Sequence, residues 1–206
     1  MSIHEIKEVL EGKSLEDILM SRKEKVEEEL TNCKYQLSKI NYLLEGRDMS
    51  YEVILKELPD YTVYYKEGII EDYSKLTDFI LSSGKECLKT NPDIKCIKPD
   101  YCYVNYLDGE YKEKDIKIRY AQAVEKEGLP NETIKFMKLN KVEAVCIYHK
   151  GSYDLLPDAY SFIIKYIEEN GYEIAESPRE RYIDGIWNKE NIDEWLTEVQ
   201  VPVRKK

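Results

Sequence analysis

The residues best equipped for chemistry in this chain are aromatic: 18 tyrosines stand against three phenylalanines and two tryptophans. A tyrosine carries an apolar face and a hydroxyl that needs a partner, so many of these rings belong at boundaries. One carboxylate stands among them in an informative place. In Arg179-Glu180-Arg181-Tyr182-Ile183, a strand's period of two sends both arginines to one face and Glu180 with Tyr182 to the other. A carboxylate among rings is costly unless something compensates it. It rises in pKa, waits for a cation or, on the plainer reading, forms a salt bridge with a Lys or Arg of a neighbouring strand. Other chemistries find less support. Five cysteines form no CxxC pair, and with only His4 and His149 a zinc site would need scattered ligands, so neither metal nor cofactor is expected. Lys150-Gly151-Ser152 lacks the spacing of a phosphate loop and reads as a strand-to-helix turn capped by Ser152. The sequence carries no Ser-His-Asp set and no paired-carboxylate signature.

The elements that must position these residues fall into two parts. Ser14, with Asp17 three residues on, opens a helix through a variant of the capping box. Leu19, Val26, Cys33 and Ile40 then fall at one heptad position and Leu30, Leu37 and Leu44 at the other, with only Lys23 breaking the register. This is a coiled-coil seam of about 45 Å ending at Gly46, and it predicts a homodimer; an amphipathic helix lying on its own domain would need the same stripe. A shorter helix over 3–11 precedes it. After Met49 the period changes to two. Strands are expected over 51–58 and 61–65, a helix over 72–88, and a hairpin of 101–107 with 116–124. The same order then returns, with strands over 134–139 and 142–148, a helix over 153–169, and strands over 181–187 and 198–203.

The two halves share motifs as well as order. Val63-Tyr64-Tyr65-Lys66-Glu67-Gly68 is echoed by Cys146-Ile147-Tyr148-His149-Lys150-Gly151, and Leu107-Asp108-Gly109 by Ile183-Asp184-Gly185. The expected fold is therefore α+β: a duplicated β-β-α-β-β unit forming one curved antiparallel sheet with two helices, preceded by the long coiled-coil helix. The divisions are 1–12, 13–47 and 50–206, and a ligand cleft is expected along the pseudo-twofold axis. With 41 acidic against 31 basic side chains and a net charge of −10, the surface repels a phosphate backbone. No apolar run approaches the roughly 20 residues a bilayer requires, and Met1-Ser2-Ile3-His4-Glu5 is no signal peptide, so a cytoplasmic protein with reduced thiols and no membrane contact is expected.

Ser2-Ile3-His4-Glu5-Ile6-Lys7 resembles the end of the winged-helix module of MerR-type transcription regulators, where it leads into the dimerisation helix. The rest is similar to the gyrase-inhibitor-like effector-binding domain of their multidrug-responsive members. The motifs are Lys150-Gly151-Ser152-Tyr153, Glu168-Glu169-Asn170-Gly171-Tyr172, Pro178-Arg179-Glu180-Arg181-Tyr182 and Leu196-Thr197-Glu198-Val199-Gln200-Val201-Pro202-Val203. The resemblance implies a pocket for a small, aromatic, often cationic molecule centred on a carboxylate, which Glu180 matches; Tyr73 and Trp195 match positions that supply rings. With Tyr182, the rings selected for the cleft are Tyr103 and Tyr148, from a wider set that includes Tyr64, Tyr106, Tyr120 and Tyr160. It also implies that the DNA-reading module would lie before Ser2, so no DNA binding is expected of this chain alone. Two other functions share the same cleft or surface: hydrolysis of strained electrophiles with Glu180 as general base, and inhibition of a protein partner.

Overall fold

The computed structural model describes residues 51–109 and 112–206, together with 14–16, 18–20, 22, 23 and 26. The chain divides into two units, Met1–Ser50 and Tyr51–Lys206. In the first, the described residues from 15 to 26 are helical, beginning where Ser14 predicts, with the Ile18 amide donating to the Ser14 carbonyl at 3.2 Å. Leu19 and Val26 of the expected seam are about half exposed. Leu30, Cys33, Leu37, Ile40 and Leu44, and the expected helix over 3–11, lie outside the described residues.

The second unit is a nine-stranded antiparallel sheet with two helices. Its strands are β1 (Ile54–Leu58), β2 (Tyr61–Ile70), β3 (Cys102–Tyr106), β4 (Ile116–Val124), β5 (Ile134–Leu139), β6 (Val142–Lys150), β7 (Tyr172–Ile174), β8 (Arg179–Asp184) and β9 (Leu196–Lys205). The helices are α1 (Leu76–Thr90) and α2 (Leu156–Glu169). Strand order is β1-β6-β9-β8-β3-β4-β2-β5, with β7 added to β9. β2 and β6 each feed a helix, and the chain returns from those helices towards the two middle strands, β3 and β8. These meet at Val104 and Glu180, which are cross-strand partners and so share a face.

Local chemistry fixes the helix starts. Asp72 accepts from the Ser74 amide at 2.8 Å and Ser152 from the Asp154 amide at 3.2 Å, each capping a short 3-10 turn that runs into its helix. Ala159, Ile163 and Ile167 then point inward from α2 at helical spacing. α1 lies so close to β2 that a Cβ at Gly68 would sit 2.6 Å from the Phe79 ring; glycine is what permits the approach. The two helices expected of the second unit are present, each with its first turn in 3-10 form. The strand expected over 181–187 instead ends at Asp184 after a register irregularity past Tyr182, because Ile186 and Trp187 belong to a connecting segment rather than to the sheet. β7 was not expected; it follows Gly171, whose φ of +73° turns the chain back after α2.

The helix-bearing face holds two cores. One gathers Val145, Ile147, Ile163, Val199 and Val201 under α2, the other Ile70, Cys87, Val104, Ile118 and Ile134 under α1. The opposite face is also buried, around Val63, Tyr101, Tyr103 and Ala121 and around Leu58, Ala144 and Cys146. Glu180 lies on the helix-bearing face, on the seam between the two cores.

Candidate functional site

The site is built outward from Glu180, which is 4% exposed. Tyr160 of α2 donates its hydroxyl to Glu180 Oε1 at 2.8 Å, and Tyr182, two residues along β8, donates to Oε2 at 2.5 Å. The Tyr182 and Tyr106 hydroxyls lie 2.7 Å apart, which extends the cluster across the middle of the sheet. Rings continue from these on both sides. Tyr73, in the turn before α1, tilts against Tyr106 at 5.8 Å. Tyr153, in the turn before α2, meets Tyr182 edge to face at 5.4 Å and stacks on Trp195 at 4.6 Å, while Trp187 meets Tyr182 at 90° and 6.4 Å. The capped turns therefore do more than start helices: each delivers a tyrosine to one flank of the carboxylate.

Burial raises the Glu180 pKa above the ordinary carboxylate range, against the opposing pull of the Tyr182 and Tyr160 hydrogen bonds. Tyr160 and Tyr182 are pushed well above their usual value by burial and by the charge of Glu180, so both hydroxyls stay protonated as donors. Among the described residues, no Lys or Arg forms an ion pair with Glu180. The salt bridge that the plainer reading assigned to it is made instead by Glu198, on the opposite face of the sheet. Lys56 and Arg181 both bond that carboxylate, and Gln200 donates to it at 2.9 Å. Burial raises the Glu198 pKa, but the two cations more than reverse the effect and hold it below the usual range. Arg179 on the same face donates to Tyr101 and pairs with Glu176. The arginines flanking Glu180 are thus committed away from it, as the period of two requires.

Of the residues singled out in the sequence, the structure brings Glu180, Tyr182, Tyr73 and Trp195 together. Tyr103 and Tyr148 are corrections. Val104 shares the face of Glu180, so Tyr103 must point the other way, where it meets the Arg179 guanidinium at 5.1 Å. Tyr148 is the cross-strand partner of Glu198, which is in turn the partner of Arg181, so it too lies on the far face. Four rings take their place: Tyr106, Tyr160, Tyr153 and Trp187. Tyr106 was legible in the repeat, since it precedes Leu107-Asp108-Gly109 as Tyr182 precedes Ile183-Asp184-Gly185. Tyr153 was legible in the same way, as the counterpart of Tyr73. Trp187 carried no such signal.

A buried carboxylate ringed by tyrosines on a two-helix antiparallel sheet defines a small-molecule-binding class of domain. Residues 51–204 match the GyrI-like small-molecule-binding domain, and the chain belongs to that family. It is 42% identical to the crystallised C-terminal domain of EcmrR, with a TM-score of 0.71, over 77% of this chain and 100% of that one. It is 37% identical to EcmrR in a cryo-electron-microscopy complex with DNA, with a TM-score of 0.73, over 100% of this chain and 78% of that one. A crystallised hydrolase from Listeria innocua shares the fold at 12% identity and a TM-score of 0.52, over 80% and 98% of the two chains. A search of curated proteins gives no match.

Proposed function

We propose that the Glu180 cage is a receptor for a hydrophobic aromatic cation, and that the chain is the effector-sensing part of a multidrug-responsive MerR-type regulator. The observation that carries this reading is a fully buried carboxylate whose partners are neutral hydroxyls, in a sheet that neutralises its other buried carboxylate, Glu198, with two cations. Leaving one charge uncompensated is costly, and a ligand that brings the missing positive charge recovers that cost. The surrounding rings choose the kind of cation. Aromatic faces attract a delocalised, weakly hydrated charge by about 0.5–2 kcal/mol per contact, whereas a compact ammonium must give up strong hydration to enter. The palindromic strand order and the paired turns of Tyr73 and Tyr153 support reading the two halves as copies of one unit, with the ligand on the axis between them. The heptad pattern of 13–47 supports a dimer made by that segment.

The test is calorimetry with N-methylacridinium and with acridine at about pH 8, where acridine is an uncharged molecule of nearly the same shape. The wild type binds the cation more tightly, and Glu180→Gln removes roughly 1.5–3 kcal/mol from the cation while leaving acridine nearly unchanged. Equal loss for both compounds, or no loss for the cation, contradicts the reading.

A further inference from the structure

Residues 184–195, between β8 and β9, form a segment whose hydrogen bonds close on itself. The Gly185 amide donates to Asn188 Oδ1 at 2.9 Å, and Asn188 Nδ2 donates to Asp184 Oδ1 at 2.7 Å. The Asn188 and Lys189 amides return to the Gly185 carbonyl at 3.0 and 2.9 Å. Asn191 accepts from the Asp193 amide, and the Trp195 indole donates to the Lys189 carbonyl at 3.4 Å. Among the described residues, the hydrogen bonds that tie this segment to the sheet and to the turn before α2 lie at its two ends: Asn188 to Asp184, the last residue of β8, and the Gly151 amide to the Trp195 carbonyl. A loop whose polar groups are satisfied internally in this way is a compact unit with few bonds to break at its ends.

The segment also sits directly on the site. A Cβ at Gly185 would lie 2.4 Å from the Tyr153 hydroxyl and 2.5 Å from the Trp187 ring, so the backbone here is pressed onto both. Beneath it the Tyr153 hydroxyl is buried with no hydrogen-bond partner. A buried orphan hydroxyl gives up its hydration without return, so closure is weakly favoured and lifting the segment releases that group to solvent or to a ligand. Meanwhile Trp187 is 48% exposed and stands perpendicular to Tyr182, one of the two rings that hold Glu180. A large indole left half in water at the mouth of an aromatic site has a face to offer.

The geometry points to residues 184–195 as a hinged cover over the Glu180 cage, with Trp187 laying its indole on a bound planar cation and so selecting flat aromatic cations over tetrahedral aliphatic ones. The inference rests on the cation-receptor reading and adds the residue that sets its selectivity. A flat ring system offers the indole a full stacking face, whereas a tetraalkylammonium offers alkyl chains that the inner tyrosines already accommodate.

Two measurements on the full chain test it. In the free protein, hydrogen exchange of the Gly185, Asn188 and Lys189 amides is at least about ten-fold faster than that of Val199 and Val201 in β9, and it slows when N-methylacridinium is bound. In calorimetry, Trp187→Ala weakens N-methylacridinium about ten-fold and tetrabutylammonium less than about two-fold, while Trp187→Phe keeps most of the preference. The readout is the ratio of two ligands within one variant, which a general loss of stability does not move. Gly185→Ala, which retains the indole but forces the segment off Tyr153, lowers the same ratio. Wild-type protein that binds neither cation overturns the receptor reading and this inference together. Binding in which Trp187→Ala weakens both cations equally, or a cover that exchanges as slowly as β9, overturns this inference alone.

Discussion

Two glutamates, 18 residues apart in the chain and on opposite faces of the same sheet, show how environment assigns roles to identical side chains. Glu198 has Lys56 and Arg181 and is a structural ion, its pKa held below the usual value by those two cations. Among the described residues Glu180 has hydroxyl donors alone, and burial lifts its pKa. A carboxyl whose folded pKa is raised favours folding in its protonated form; the stability it contributes is fully present below the ordinary carboxylate value and is lost as pH rises through the folded value. Near pH 7 the free protein therefore carries a penalty at Glu180 that a neutral isostere escapes. Glu180→Gln is expected to raise the stability of the free protein at neutral pH, with the gap closing towards pH 4, as read by denaturant unfolding. A residue kept for packing alone would give the opposite sign. The strand alternation in Arg179-Glu180-Arg181-Tyr182 made the separation of these charges legible, because two arginines sent to one face cannot serve a carboxylate sent to the other. Which glutamate received them was not legible, since it depends on the register of β8 against β9.

The elements deliver residues by parity, and parity is where sequence reading succeeded and failed. Apart from β7, the order of strands and helices in the second unit, the capped helix starts and the glycine after α2 follow from local chemistry within a few residues. The faces of β3 and β6 do not. In each strand both faces are buried, so apolar alternation vanishes: Tyr103, Val104 and Asn105 are all buried, as are Ala144 through Ile147. Apolar alternation alone therefore did not separate Tyr103 and Tyr148 from Tyr106, although the repeated Tyr106-Leu107-Asp108-Gly109 motif marks the last of these. Only the pairing of Val104 with Glu180 and of Tyr148 with Glu198 decides the matter. His149 shows what the inward face of β6 does instead. Its Nδ1 lies 2.9 Å from the Tyr51 hydroxyl and its Nε2 2.9 Å from the Ser152 carbonyl. A carbonyl only accepts, so Nε2 carries the proton and Nδ1 accepts from Tyr51. The neutral ring thus ties the chain entering β1 to the turn that carries Tyr153. Burial lowers its pKa, opposed by the Ser152 bond and the charge of Asp158. The stability it contributes is full above about pH 6.5 and is lost as pH falls through the folded value. Unfolding followed between about pH 7 and 5 should show this loss, and His149→Gln should flatten it; an unchanged slope would remove His149 from that role.

At the scale of the whole molecule, the chain joins a GyrI-like unit to a segment whose heptad pattern asks for a partner. Leu19 and Val26, both helical and about half exposed, are where that pattern enters the described residues. Sedimentation equilibrium is expected to give a dimer, weakened at least about ten-fold by Val26→Glu, since a charge at a seam position must be desolvated on pairing. A strictly monomeric wild type at high concentration would contradict the seam. The α+β class was readable because it depends on periodicity, and the face of Glu180 because it depends on alternation within one strand. The completed cage was less so, because Tyr73, Tyr106, Tyr153, Tyr160, Tyr182 and Trp187 come from six places that only the strand order unites. The receptor role of Glu180 stands or falls on where a cation sits. The most direct measurement is the crystal structure of the complex with tetraphenylarsonium, whose arsenic marks the centre of charge by anomalous scattering. The account predicts one arsenic peak on the helix-bearing face, within about 6 Å of at least two of the cage ring centroids and on the side of the Glu180 carboxylate. A peak on the opposite face beside Glu198, or on the outer surface away from Glu180, would contradict it.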